Sequence, residues 1–283
     1  MATLNYAMLA LAEIVMPNMI KSGTATSDGA VGKTTLIDSN RDEPEGFFIT
    51  SGIGAGTIFF TSGTNDGLSR VITAADFTGT TFTFAAVTAK TLIGDTYLAT
   101  PLYFQRQQLI DAINRALNTI GSYWVWYEDA AFVTVTDQIT YDLPSGVFNI
   151  KDVEIATNTS APYGYVPHSH WEEEISDGSY NGLLRFHEPT QPKQDDYRIR
   201  VKYVVSPPAD LDTDDDDLPY GMNVDLIKWV AAVHLLRGKA NDPRWNGILN
   251  EALLREKHLL SVHRDAQEMS AHRRDNLGMW SKV

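Results

Sequence analysis

Leu109-Ile110-Asp111-Ala112-Ile113-Asn114-Arg115-Ala116-Leu117-Asn118-Thr119-Ile120, between Thr100-Pro101 and Gly121, is the stretch on which the architecture turns. Leu109, Ile110, Ile113, Ala116, Leu117 and Ile120 recur at the three- and four-residue spacing of a helix with one apolar face. Thr100 offers a capping hydroxyl, Pro101 suits a first helical position, and Gly121 supplies a stop. Such a face must be buried against another element. Three further segments offer partners: residues 3–16, with Leu4, Met8, Leu11, Ala12 and Val15; residues 223–238, with Leu226, Ile227, Val230, Ala231, Val233 and Leu235; and residues 243–274. The last is capped by Asp242-Pro243 and carries Ile248, Leu249, Ala252, Leu253, Leu259, Leu260 and Val262. It loses its apolar stripe from Arg264 onward.

Between these helices lie two blocks of another texture. Residues 20–100 hold short runs rich in Thr, Ile, Val and Phe, among them Thr34–Asp38, Gly46–Thr50, Thr57–Thr61, Ser69–Thr73 and Gly79–Phe84, separated by Gly, Asp, Asn and Ser. That spacing predicts a small sandwich or barrel. The second block opens on Tyr123, Trp124, Trp126 and Tyr127 and contains Phe132–Val135, Ile139–Pro144, Val147–Ile155 and Tyr197–Val204. Residues 157–196 read as a long hairpin or loop. The expected fold class is therefore α+β: a helical bundle hub built from discontinuous helices, with two inserted antiparallel β modules. In order, the expected parts are 1–19, the first hub helix; 20–100, a β-rich module; 101–121, a hub helix; 122–208, a second β-rich module; 209–221, an acidic linker; 222–275, the C-terminal helix pair; and 276–283, a tail.

The 283 residues carry a net charge of −13 and no cysteine, with 43% hydrophobic and 21% charged residues. This is a globular composition without a disulfide framework, a thiolate nucleophile or a zinc–thiolate site. No apolar run approaches the roughly 20 residues that span a bilayer, so no membrane partner is expected. Met1–Tyr6 lacks the basic and apolar regions of a secretory leader. Met222–Val283 holds ten Lys and Arg against seven Asp and Glu, which leaves −16 on the first 221 residues. An acidic body does not grip nucleic acid by neutralising phosphates, although it can surround a duplex without holding it.

Several stretches approach a chemical motif and miss it. Gly32-Lys33-Thr34 ends like a phosphate loop, but Ser27 stands where the first glycine belongs. Gly52-Ile53-Gly54-Ala55-Gly56 is followed by Thr57 where a dinucleotide fingerprint has glycine. Both read as turns. Asp212, Asp214 and Asp216 alternate as in a calcium loop, yet Asp217 and Asn223 occupy the positions of its glycine and bidentate glutamate; a solvated linker is the plainer reading. His168-Ser169-His170 beside Glu172-Glu173-Glu174 has ligand chemistry without a distant partner. His234, His258, His263 and His272 fall on helices without shared ligand spacing. No nucleophile constellation has a local signature, so no catalytic site, metal or cofactor is expected, and the chain is not expected to be an enzyme.

The order of elements resembles the head–tail adaptor (connector, or neck) proteins of tailed bacteriophages. Leu102–Leu117 with the aromatics and Ile139-Thr140-Tyr141-Asp142-Leu143-Pro144 that follow, Tyr203-Val204-Val205-Ser206-Pro207-Pro208 with the Asp-rich segment and Leu218-Pro219, and the closing helix pair from Asp225 and Pro243 carry the likeness. Phe60–Gly67 and Gly94–Tyr97 also look like virion neck and tail proteins. The resemblance implies a structural virion protein: a ring, expected to be dodecameric, below the portal protein and around the DNA channel. Downstream neck and tail proteins would be further partners, and DNA would pass without sequence-specific binding during genome ejection. The location implied is the virion neck, after assembly in the host cytoplasm. Carried over, portal docking falls to Arg264, Arg273, Arg274, Met279 and Trp280. Other readings are a tail completion or fibre-attachment protein, or a carbohydrate-binding virion protein using Tyr123–Tyr127 as a platform.

Overall fold

The computed structural model describes residues 2–76, 80–147, 149–175, 182–188, 190–206, 210–219 and 221–278. The chain forms two compact units, one from residues 1–120 and 208–262, the other from residues 121–207 and 263–283.

The first unit opens with α1 (Leu4–Val15), whose amide at Tyr6 is capped by Thr3 Oγ1 at 3.4 Å. Eight short strands follow: β1 (Lys21–Thr24), β2 (Thr35–Ile37), β3 (Ile49–Thr50), β4 (Gly54–Ala55), β5 (Thr57–Phe60), β6 (Ser69–Asp76), β7 (Thr81–Phe84) and β8 (Thr96–Ala99). Then come α2 (Arg106–Ile120) and, after the other unit's strands, α3 (Val224–Arg237) and α4 (Pro243–Gly278), whose residues from His263 onward belong to the other unit. Six strands form one antiparallel sheet in the order β1-β8-β5-β6-β7-β2, while β3 and β4 make a separate hairpin. The six-stranded sheet curls into a half-barrel.

β5 joins the two apolar interiors of this unit. Its four residues are all buried, and side chains alternate across a strand. Phe59 points into a core shared with Leu4, Met8 and Leu11 of α1, Ile110 and Ile113 of α2, Ile227 and Val230 of α3, and Trp245 of α4. Ile58 and Phe60 face the inside of the curl, with Leu36, Phe48, Phe82, Phe84 and Tyr97. The rings there meet edge to face, Phe48–Phe82 at 4.9 Å and Phe82–Tyr97 at 5.4 Å between centroids.

The second unit holds β9 (Tyr123–Val133), β10 (Thr140–Asp142), β11 (Ile150–Ala156), β12 (Tyr165–His168), β13 (Trp171–Ile175), β14 (Gly182–Phe186) and β15 (Arg198–Val205). These make an antiparallel sheet ordered β12-β11-β15-β9 and a smaller one ordered β10-β14-β13.

The expected α+β class, a helical bundle hub with two inserted β modules, is corrected. Among the described residues there are fifteen strands in four sheets and four α-helices, and the chain is 27% helical. The helices do share an apolar core, but a sheet strand enters it, so the first β block is not an appendage of a bundle. Three strands, β12 to β14, lie inside residues 157–196, the stretch read as a long hairpin or loop, and β13 and β14 pair there as antiparallel neighbours. The helix start is corrected too. α2 begins at Arg106, and Thr100 instead accepts from the Thr57 amide at 2.8 Å within the sheet. Residues 101–105 precede the helix, and Phe104 among them packs edge to face on Trp245, centroids 5.2 Å apart.

Candidate partner-docking site

Within α4, only Trp245, Leu249 and Ala252 are buried among the described side chains. Asp242 caps it, Oδ1 accepting from the Arg244 amide at 3.1 Å, and the Arg244 guanidinium holds that carboxyl down at about 2. Trp245 is the anchor, edge to face with Tyr103 and Phe104. Leu249 and Ala252 complete the buried start, and Ile248, Leu259 and Leu260 are partly buried. Beyond them the apolar stripe breaks. Leu253, Leu254 and Val262 are 38%, 71% and 51% exposed. Leu253 and Val262 were expected in the core, whereas Leu254 belonged to no expected stripe. Glu256 is pushed above the usual carboxylate range by burial, against the pull of Arg237. His263, beside Tyr123 with centroids 5.9 Å apart, is held below the usual imidazole range first by burial and then by Arg264.

Of the residues expected to dock on a portal, Arg264 is exposed on α4, directly after His263. Arg273 and Arg274 lie on the same helix, but their side chains are outside the described residues, as are Met279 and Trp280 altogether.

The acidic segment is not a solvated linker throughout. Asp214 is buried and accepts from Ser69 N at 3.0 Å, Ser69 Oγ at 2.5 Å, Arg70 Nη1 at 2.9 Å and Arg106 Nη2 at 3.0 Å. Asn114 clamps Leu211 with two 3.0 Å bonds, and Leu4 N donates to Asp216 O at 2.8 Å. The Asp216 carboxylate accepts from the amides of Asp212 and Thr213, so these carboxylates do not converge as a calcium loop requires. Sequence could not single out Asp214, because it sits in a run of chemically identical neighbours. Its cationic partners lie more than a hundred residues away.

The aromatic platform of the second unit is occupied by its own cations. Arg200 stacks at 4.6 Å from Trp126 and 3.8 Å from Tyr165, Lys151 lies 4.7 Å from Trp124, and Arg198 lies 4.2 Å from Tyr163. Glu154 accepts from Arg200 Nε at 2.8 Å. The register explains the row: Lys202 stands opposite Trp126, and Arg200 stands between Glu154 and Glu128. Cation–π pairs of this kind knit a half-exposed sheet face.

His168 and His170 do not converge on an ion. His168 Nε2 is 2.9 Å from Thr190 O, its Nδ1 faces the His170 amide at 3.4 Å, and His170 Nδ1 is 2.9 Å from Ser169 Oγ. Burial holds His168 below the usual imidazole range. Among the described residues no group of three or more His, Cys, Asp or Glu is placed to hold a metal ion. Gly32-Lys33-Thr34 is a turn, with Lys33 N on Ala30 O at 2.9 Å and Lys33 in the left-handed region. Gly52-Ile53 turns between β3 and β4. No helix among the described residues is long and apolar enough to cross a membrane.

Taken together, α4 leaves Leu253, Leu254, Val262 and Arg264 exposed, while the buried polar groups hold the fold. A scan against protein-family models finds no match for the chain, and a search of curated proteins finds none either.

Proposed function

We propose that this chain is a structural adaptor of a tailed-phage neck, assembling as a ring below the portal protein and around the DNA channel. α4 carries the reading. It is a 36-residue helix, about 54 Å long at 1.5 Å per residue, anchored at Trp245 and lined further on by exposed Leu254 and Val262. A helix of that length with uncovered apolar positions suits docking on another subunit better than enclosing a substrate. The acidic body supports the DNA part of the reading, since it repels a passing duplex instead of retaining it. The resemblance in element order supplies the partners: further copies of the chain in a closed ring, expected to be dodecameric, then the portal protein and the next neck or tail proteins. The chain acts in this reading without chemistry of its own.

Mass measurement and negative-stain imaging, alone and with a portal protein, test the reading. A closed oligomer that binds portal supports it; a strict monomer indifferent to portal overturns it. Ending the chain at Ala271 removes Arg273, Arg274, Met279 and Trp280 and should weaken portal attachment with the melting temperature unchanged.

A further inference from the structure

The six-stranded sheet ends on β1 and β2, and the chain joins these two edges at one place. Thr26 N donates to Ile37 O at 2.8 Å, and Ser27 bridges Ile37. Beyond that point the edges part. Between β1 and residues 38–43 lies a cavity of about 380 Å³, within the range of small-molecule sites. Asp38, in its lining, is buried and already paired, accepting from Tyr97 OH at 2.8 Å and Asn40 N at 3.0 Å. Gly23 leaves room for that pair, since a Cβ there would lie 2.4 Å from the Tyr97 hydroxyl oxygen and 2.5 Å from Asp38 Oδ2.

Arg41, also in the lining, is paired far less well. Its side chain is 5% exposed, with Cζ 3.8 Å from the Phe82 ring centroid and 5.1 Å from that of Phe48. At 3.8 Å the guanidinium lies flat on the Phe82 ring. Its N–H bonds lie in its own plane, so they point past the ring and still need acceptors. Nε has one, Glu43 Oε2, at a long 3.4 Å. Nη1 is buried and has no acceptor among the described residues. A buried donor left unmet costs about 1–3 kcal/mol, and more when it is charged. An oxygen brought by a ligand recovers that cost.

The rest of the lining selects the ligand. Lys21 and Arg41 stand against Asp38, Asp42 and Glu43, so an anion meets net repulsion. A cation has no lone pair for Arg41. Hydroxyl groups both accept and donate, and need no charge balance. Two adjacent hydroxyls can take the Arg41 N–H groups and give to Asp42, which is exposed at the rim with Asn40, Ser22 and Thr24.

We propose that this seam binds an uncharged saccharide, one hexose or N-acetylhexosamine unit, with Arg41 donating to its hydroxyl oxygens and Asp42 accepting from a neighbouring hydroxyl. The site lies wholly within the first unit and does not depend on the ring reading.

Saturation-transfer NMR on the full-length chain tests this. The probes are glucose, galactose, mannose and N-acetylglucosamine, with methyl phosphate and glycine as the anionic and zwitterionic controls. At least one sugar should receive magnetisation from the protein. Arg41→Met and Asp42→Ala should each weaken its binding by at least roughly tenfold, and Thr24→Trp should do the same by filling the cavity. Asp42 and Thr24 are exposed, so their variants should keep the wild-type melting temperature and decide the matter even where Arg41→Met does not fold. Three results overturn the proposal: transfer to none of the four sugars, sugar binding indifferent to Asp42→Ala and Thr24→Trp, or tighter binding of methyl phosphate or glycine than of any sugar.

Discussion

The two principal sheets cover their faces in opposite ways. In the first unit, both sides of β5 are dry: Phe59 lies among helices, and Ile58 and Phe60 lie inside the curl, where Phe48, Phe82, Phe84 and Tyr97 interlock. In the second unit, one face of the β12-β11-β15-β9 sheet packs Val153, Ile199 and Val201, all buried, and the other is roofed by Arg198, Arg200 and Lys151 on aromatic rings. The first unit draws on burial of apolar area, which fails in large steps when a ring is removed. The second draws on many partly exposed contacts worth about 0.5–2 kcal/mol each, which fail gradually.

Phe82→Ala should break the comparison most sharply. It empties a fully buried site that touches Phe48, Tyr97 and the Arg41 guanidinium, 3.8 Å from the ring centroid. A loss of about 3–5 kcal/mol is expected, read as a fall in the denaturant midpoint. Hydrogen exchange should place the loss in residues 21–99 and spare β9 to β15.

Asp214→Ala comes next. It strands Arg70, Arg106 and the Ser69 amide, in surroundings where removing one member of a buried ion pair costs about 3 kcal/mol or more. Chemical denaturation measures the loss, and limited proteolysis should show new cleavage between residues 210 and 218. A variant as stable as the wild type would mean that residues 210–218 are held by Leu211, Leu218, the Asn114 clamp and the Leu4–Asp216 bond without the Asp214 pairs.

Trp126→Ala in the second unit should cost less, about 1–2 kcal/mol, because Arg200 keeps Tyr165 and Glu154. A double-mutant cycle with Arg200→Ala isolates the stacking energy. A loss as large as that of Phe82→Ala would show that this face is a core and not a roof.

The smallest effect concerns pH. His168, His234 and His263 are all held below the ordinary imidazole value chiefly by burial. The unfolded chain therefore binds protons more readily than the folded one, and stability should be full above about pH 6.5 and decline as pH falls below it. His168→Gln should flatten part of that slope in thermal melts. An unchanged slope would assign it to the two helical histidines.

Much of the helical part was legible in the residues alone. Thr3, Gly121 and Asp242-Pro243 mark ends that the structure keeps, and Leu109, Ile110, Ile113, Ala116 and Leu117 are the buried stripe of α2. Caps and 3.6-residue periodicity are local properties and need no knowledge of distant chain. β12, β13 and β14 fall in the stretch that reads as a long hairpin or loop, where polar and turn-forming residues interrupt the apolar alternation that marks a strand. Leu253 and Val262 passed as core because a stripe says which residues share a helix face, not whether anything lies against it.

Sequence by itself determined that four helices are present and which residues make the stripe of α2, though not where α2 begins, that the charge is concentrated in the acidic body, and that Gly32-Lys33-Thr34 forms a turn, since each depends on neighbours within a few positions. Only the tertiary structure decided that β5 serves two interiors, that Asp214 alone in its run is buried against Arg70 and Arg106, and that Arg200 lies between Trp126 and Tyr165. Those pairings join residues tens to more than a hundred positions apart, and their energies exist only once the chain has folded back to bring them within contact distance.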